Sequence, residues 1–448
     1  MPLALQPCTR LALFLTLSLG PILNPTNLLA QAAPSHPAAD SAAVARERYR
    51  EAVGLLRAGN LGLAVRTAQL ATSAWPSQPA YLGLVAQLAA RLKDTALVAR
   101  TLSRLGELGA TYPVERDSAL VGLREAAPVR AALDQMAAAT APLSASSPAA
   151  TIGPADFWAE GLAVVGDGSI LIGSPHHRRI LRWYPSGQVV DLLPEANSLW
   201  GVSAIALDPD GQTLWATSNA IPQMAGYDTA LAGRVELVRV GLDGSGVRSR
   251  HPVGSAGGGA MMGDILVTPD GTVFASDTRG QAIWRLSPGA AAPTVVARHP
   301  LIRSPQGLVL AAGQAQLLVA DYSHGLLRVD PATGSVHHLP VPAGTTLLGI
   351  DGIARHGRDL VAIQNGGVAP RVIRVRLDAA ERVVLGIEVL DRNLTVADEP
   401  TLGVVVGDAF YYVANSQWEK RGEDGSPLPG ATLAPTVVLR LPLKALSP

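Results

Sequence analysis

The chain has 448 residues, too many for one ordinary core, and its Lys+Arg and Asp+Glu counts are both 36. Zero net charge gives no support to a nucleic acid or an anionic membrane as partner. Only 16% of residues are charged, 48% are apolar, and Gly and Pro number 45 and 34, which suits short strands and tight turns rather than disorder.

Residues 1–32 read as an export signal. Arg10 supplies positive charge, Leu11 to Leu23 is apolar, and Ala30-Gln31-Ala32 is a small-x-small cleavage site. Gly20 and Pro21 break the run, which suits a cleaved signal better than a membrane span; a retained anchor is the alternative. The protein is therefore expected to be exported, periplasmic or secreted. Cys8 is the only cysteine and precedes the apolar run. Cleavage after Ala32 would leave no disulfide, no thiol nucleophile and no Cys-ligated zinc.

After a short Ala/Pro/Ser stretch, residues 41–139 carry a helical pattern rich in Ala, Leu and Arg. A shift of 34 places sets Ala52 on Ala86, Leu55 on Ala89 and Gly59 on Lys93, and Pro76 closes the first unit. This region resembles tetratricopeptide repeats, with an unrelated helical bundle as the alternative. Its expected role is packing or docking of a protein partner. Residues 140–154, rich in Ala, Ser, Thr and Pro, read as a linker.

Strand grammar follows over residues 155–445. Short apolar runs alternate with Pro-Asp-Gly and Pro-Ser-Gly turns. One pattern recurs six times, opening at Glu160, Ser203, Asp264, Gln306, Asp351 and Glu399, with spacings of 43, 61, 42, 45 and 48. The third strand of each unit carries an arginine: Arg182, Arg239, Arg285, Arg328, Arg374 and Arg440. Such a period with three or four strands per unit means propeller blades. The expected fold is mainly β, a six-bladed β-propeller behind a small all-α domain.

In a propeller the innermost strands line a central channel, so repetition gathers the opening residues into a ring at one rim. The ring comprises Glu160, Ser203, Asp264, Gln306, Asp351 and either Glu399 or Thr401. Converging carboxylates must share protons or bind a cation. Calcium takes six to eight oxygen ligands, and this inventory is all oxygen, with no histidine to favour zinc or iron. The loops between second and third strands reach the same rim. They contain His176, His177, His324, Asn365, Asn415 and Trp418. His176, His324, Asn365, Asn415 and Trp418 are the expected substrate contacts, and His176, His177 and His324 are candidate proton carriers near neutral pH.

At these residues the chain resembles the family of gluconolactonases, senescence-marker proteins and luciferin-regenerating enzymes. The resemblance runs over about residues 155–445, the propeller alone. Ala159-Glu160-Gly161-Leu162 is similar to the family's opening Glu-Gly motif, which implies a metal ligand at Glu160. Ile350-Asp351-Gly352-Ile353 resembles its Asp-Gly blade, which implies a ligand and base at Asp351. Ser304-Pro305-Gln306-Gly307 stands where the family has Pro-Asn-Gly, and Gly263-Asp264 where it tends to have Asn-Asp. The resemblance implies a divalent metal, commonly calcium, in the channel and hydrolysis of a small lactone or related ester. In that reading the metal is held by Glu160, Gln306, Asp351 and Asp264, and Asp351 or a rim histidine is the base. The competing reading is a non-catalytic binding or scaffold protein, and a strictosidine-synthase-like or paraoxonase-like propeller is a third.

Overall fold

The computed structural model describes residues 39–193, 199–254 and 259–443. The segment read as an export signal lies outside them. Among the described residues no helix is long and apolar enough to cross a membrane.

The chain opens with helices Ala39–Arg57, Leu61–Ala74, Pro79–Arg91 and Thr95–Glu107. The first two and the last two form hairpins offset by 34 residues. The turns are built alike. Gly59 and Lys93 take left-handed backbone conformations, with φ of 77° and 58°. Asn60 and Asp94 then cap the following helices through Leu63 N and Leu97 N. A further helix, Ala127–Thr140, packs on Thr95–Glu107.

Six four-stranded antiparallel sheets follow as blades. Their inner strands are Leu162–Val164, Ile205–Leu207, Met262–Val267, Pro305–Leu310, Ile350–His356 and Gly403–Val406. Each inner strand touches its neighbours around the ring, and the first meets the sixth. The sixth blade borrows its outer strand from the other end of the β region. Ser147–Ile152 pairs antiparallel with Thr436–Pro442. Part of the expected linker is thus a closing strand. Asp391 pins its approach by accepting from Ala145 N at 2.6 Å and from Tyr412 Oη at 2.9 Å.

The glycine that follows Glu160, Gln306 and Asp351 has a steric cause. A Cβ on Gly161 would lie 2.8 Å from Ala204 Cα, one on Gly307 2.5 Å from Ile353 N, and one on Gly352 2.7 Å from Thr401 O. Neighbouring inner strands therefore approach at backbone distance, which glycine alone permits. Gly307→Ala is expected to destabilise the fold by about 3 kcal/mol or more, because backbone cannot yield as a side chain can. Chemical denaturation would show it, and an unchanged midpoint would mean that the ring is looser than these distances imply.

The recurrent arginines anchor blade turns. Arg182 Nε donates to Ser169 Oγ and Arg239 Nε to Thr213 Oγ1, both at 2.9 Å.

The helical layer sits on the loops of blades four and five. Leu348 joins the buried cluster of Ala42, Ala45, Trp75 and Tyr81, while Val368 joins that of Leu102, Leu105 and Val129. Polar ties accompany the apolar ones: Ala369 N donates to Gly109 O at 3.1 Å, and Arg392 Nε to Ala141 O at 2.7 Å.

Candidate active site

Because equivalent positions of the blades converge, one mouth of the channel is a polar cavity of about 340 Å3. Its walls include Glu160, Ser203, Gln306, Asp351, Glu399 and Thr401. Both candidates for the sixth position are therefore present. Tyr322, Asn365 and Trp418 come from the blade loops.

Glu160 is 8% exposed, and its Oε2 accepts from Ser416 Oγ at 2.5 Å and Trp418 Nε1 at 2.6 Å. Hydrogen bonds to a charge are worth about 1.5–3 kcal/mol each, so this carboxylate is held firmly. Even so, burial and then the charge of Asp351 push it well above the usual carboxylate range. Asp351 Oδ2 accepts from Asn365 Nδ2 at 2.9 Å. Burial raises Asp351 to about 6, against the pull of that hydrogen bond. Asn365 is fixed on both sides, since its Oδ1 accepts from Tyr322 Oη at 3.0 Å and its Nδ2 also donates to Pro400 O at 2.9 Å. Glu399 is raised to about 7, chiefly by burial. Among the described residues, no lysine or arginine lines the cavity to offset these groups.

Gln306 stands on the blade next to that of Asp351, and its Oε1 packs over Gly263, where a Cβ would come within 2.9 Å. Ser203 Oγ accepts from Asn219 Nδ2 at 3.1 Å. Thr401 Oγ1 is buried without a hydrogen-bond partner.

Four expected site residues stand elsewhere. Asp264 faces the inner channel, a second cavity of about 420 Å3 lined mainly by apolar inner-strand residues. Its carboxylate accepts from Ile265 N at 2.8 Å and Leu308 N at 3.3 Å, because the strand turns its side chain below the mouth while Gly263 lines the mouth itself. His176 is absent from the mouth lining, and its Nδ1 lies 2.6 Å from Gln223 O. His324 is 2% exposed and stacks on Trp75 of the helical layer, with centroids 5.6 Å apart. Asn415 braces its own loop, donating to Pro435 O at 3.0 Å and accepting from Val437 N at 2.7 Å. His177, the other candidate proton carrier, lies 3.7 Å from Asp156, and burial lowers its affinity for a proton.

Ser416 and Tyr322 acquire roles that composition did not assign. Both sit beside residues singled out in the sequence, but only the loop conformations show which atoms they hold. Among the described residues, no three His, Cys, Asp or Glu side chains gather into a metal-ligand group. A cation at the mouth would thus need amide, hydroxyl or water oxygens beside the carboxylates.

No protein-family model matches the chain, and no curated protein matches it by sequence. Among solved structures it is similar to an aldose sugar dehydrogenase from Streptomyces coelicolor, at 17% identity over 67% of this chain and 99% of that one, with a TM-score of 0.45. It is similar to a gluconolactonase from Xanthomonas campestris, at 17% identity over 64% of this chain and 86% of that one, TM-score 0.43. A virginiamycin B lyase from Staphylococcus aureus shares 14% identity over 65% of this chain and 97% of that one, TM-score 0.43. Such remote likenesses leave the chemistry to the channel mouth of this six-bladed β-propeller, where Glu160, Asp351 and Glu399 share a lining that, among the described residues, has no lysine or arginine.

Proposed function

We propose that the protein is an exported hydrolase of small lactones or related esters, working at the channel mouth with a divalent cation, calcium by its donor chemistry. The observation that carries this reading is the pairing of Glu160 with Asp351. Buried Glu160 and half-buried Asp351 interact across a cavity whose lining, among the described residues, includes no lysine or arginine. The remaining donors suit a hard cation, since Gln306, Ser203 and the unpartnered Thr401 Oγ1 offer oxygen. Glu160, Asp351 and Gln306 would hold the ion; Asp264 is engaged with backbone amides below the mouth.

A bound calcium supplies Lewis acidity toward a carbonyl oxygen. The chain's own residues do the rest. Asp351, oriented by Asn365, serves as the base that takes a proton from attacking water. Among the described residues, the side-chain hydrogen bonding of Asp351 is through Oδ2, which leaves Oδ1 for that proton. Glu160 is locked by Ser416 and Trp418 and stays in place while charge shifts around it. Tyr322 holds the Asn365 amide so that its nitrogen faces Asp351.

Calorimetric titration of the full chain with calcium tests the reading. Binding by the wild type that is lost in Asp351→Ala is the expected result, followed by a screen of aldonolactones and aryl esters. No binding by either protein would remove the metal from the proposal and favour a binding or scaffold role.

A further inference from the structure

A third cavity, of about 370 Å3, lies at the seam between the helical layer and the propeller. Arg46, Trp75 and Tyr81 line it from the helical side, and Arg303, Tyr322 and His324 from the blades. We propose that this seam cavity binds a small molecule through an oxyanion, either a carboxylate or a phosphate.

The argument rests on unspent positive charge and unspent donors. Among the described residues, no aspartate or glutamate lines the cavity. Arg46 Nη1 lies 2.8 Å from His324 Nε2, which therefore accepts as a neutral imidazole. The other ring nitrogen of His324 lies 3.4 Å from Asp321. Arg303 Nη1 donates to the Gln281 amide at 3.3 Å. Among the described residues neither guanidinium forms an ion pair with a carboxylate. Asp321, the nearest acid in this network, is already engaged by the backbone amides of Arg303, Ser304, Ser323 and His324 at 2.7–3.0 Å.

Trp75 supplies the second observation. It is 2% exposed, lines the cavity, and its Nε1–H has no hydrogen-bond partner. A buried indole N–H usually finds an acceptor, and leaving it unpaired costs about 1–3 kcal/mol. Its ring is clamped between Tyr81, edge-on at 6.2 Å, and His324, stacked at 5.6 Å. Two arginines that line one space, beside a buried indole N–H with no acceptor of its own among the described residues, suit an acceptor-only, negatively charged group. The site is separate from the channel carboxylates, although Tyr322 lines both cavities.

Calorimetry on the full chain at low salt, with inorganic phosphate and with succinate as probes, tests this. At least one anion is expected to bind with a Kd below about 1 mM, the scale of a modest but specific site. Arg46→Gln and Arg303→Gln should each weaken binding about tenfold or more. Trp75→Phe keeps a ring but removes the N–H and should weaken it about threefold to tenfold, in line with one lost hydrogen bond. Arg248→Gln, in a surface pair with Asp243, should leave binding unchanged. Phosphate binding alone would assign a phosphoryl ligand, and succinate binding alone a carboxylate. Circular dichroism checks folding; if Arg46→Gln unfolds, exposed Arg303 and the Trp75→Phe variant carry the test. Absence of binding for both anions, or wild-type affinity in the arginine variants, would overturn the proposal. The outcome does not depend on whether the channel mouth hydrolyses anything.

Discussion

Asp351→Ala is expected to lower kcat/KM on a responsive lactone or aryl ester by at least about a thousandfold, with the propeller still folded. A positioned general base contributes roughly 10^2 to 10^4 in rate, and this residue is also a proposed cation ligand. Asn365→Ala should have a smaller effect of the same kind. It frees Asp351 Oδ2 and leaves Tyr322 Oη without its acceptor, yet it removes no reacting group. Steady-state kinetics on the two variants separate base from positioning residue. Equal, modest losses in both would move the base elsewhere on the rim, and full activity in Asp351→Ala would remove this carboxylate from the chemistry.

The second large effect concerns stability and pH. Asp264 is raised to about 7, mainly because burial penalises its charge. A carboxyl with a folded pKa above its unfolded value holds its proton more tightly in the native state. Its contribution to stability is therefore complete below about pH 4 and is lost as pH rises through about 7. Raising the carboxyl from its ordinary value of about 4 to about 7 corresponds to at most about 4 kcal/mol. Asp264→Asn removes the titration while keeping an oxygen for Ile265 N or Leu308 N. In chelator, the difference in stability between wild type and variant should move in the variant's favour between pH 5 and pH 8. Denaturation midpoints across that range decide it. A constant difference would show that this carboxylate does not change protonation there.

Much of the architecture was legible because β-propellers repeat. Six openings at a near-constant period announced six blades, and the arginine of each third strand marked the same place in each. The glycines after Glu160, Gln306 and Asp351 could be seen as a motif, but their cause is the backbone approach of the next blade. Ser147–Ile152 was hidden for a different reason. Its Ser-Pro-Ala-Ala-Thr-Ile sequence has weak strand character, and it is a strand because Thr436–Pro442 offers an edge nearly 300 residues later.

The site divides in the same way. Glu160, Gln306, Asp351, Glu399 and Thr401 were nameable because each is fixed by blade register, which period and pattern record. Asp264 faces the inner channel because the register places it one residue past the ring position, where the next two blades have Gly307 and Gly352, and sets Gly263 at the mouth. Loop residues were decided by tertiary structure alone. Trp418 and Asn365 turn inward to the carboxylates, Asn415 turns back on its own loop, and His324 lies beneath Trp75. Repetition writes inner-strand positions into the sequence because local geometry recurs. The orientation of a loop, or the seating of a helical layer on a rim, depends on contacts between residues far apart in the chain, and no local pattern encodes them.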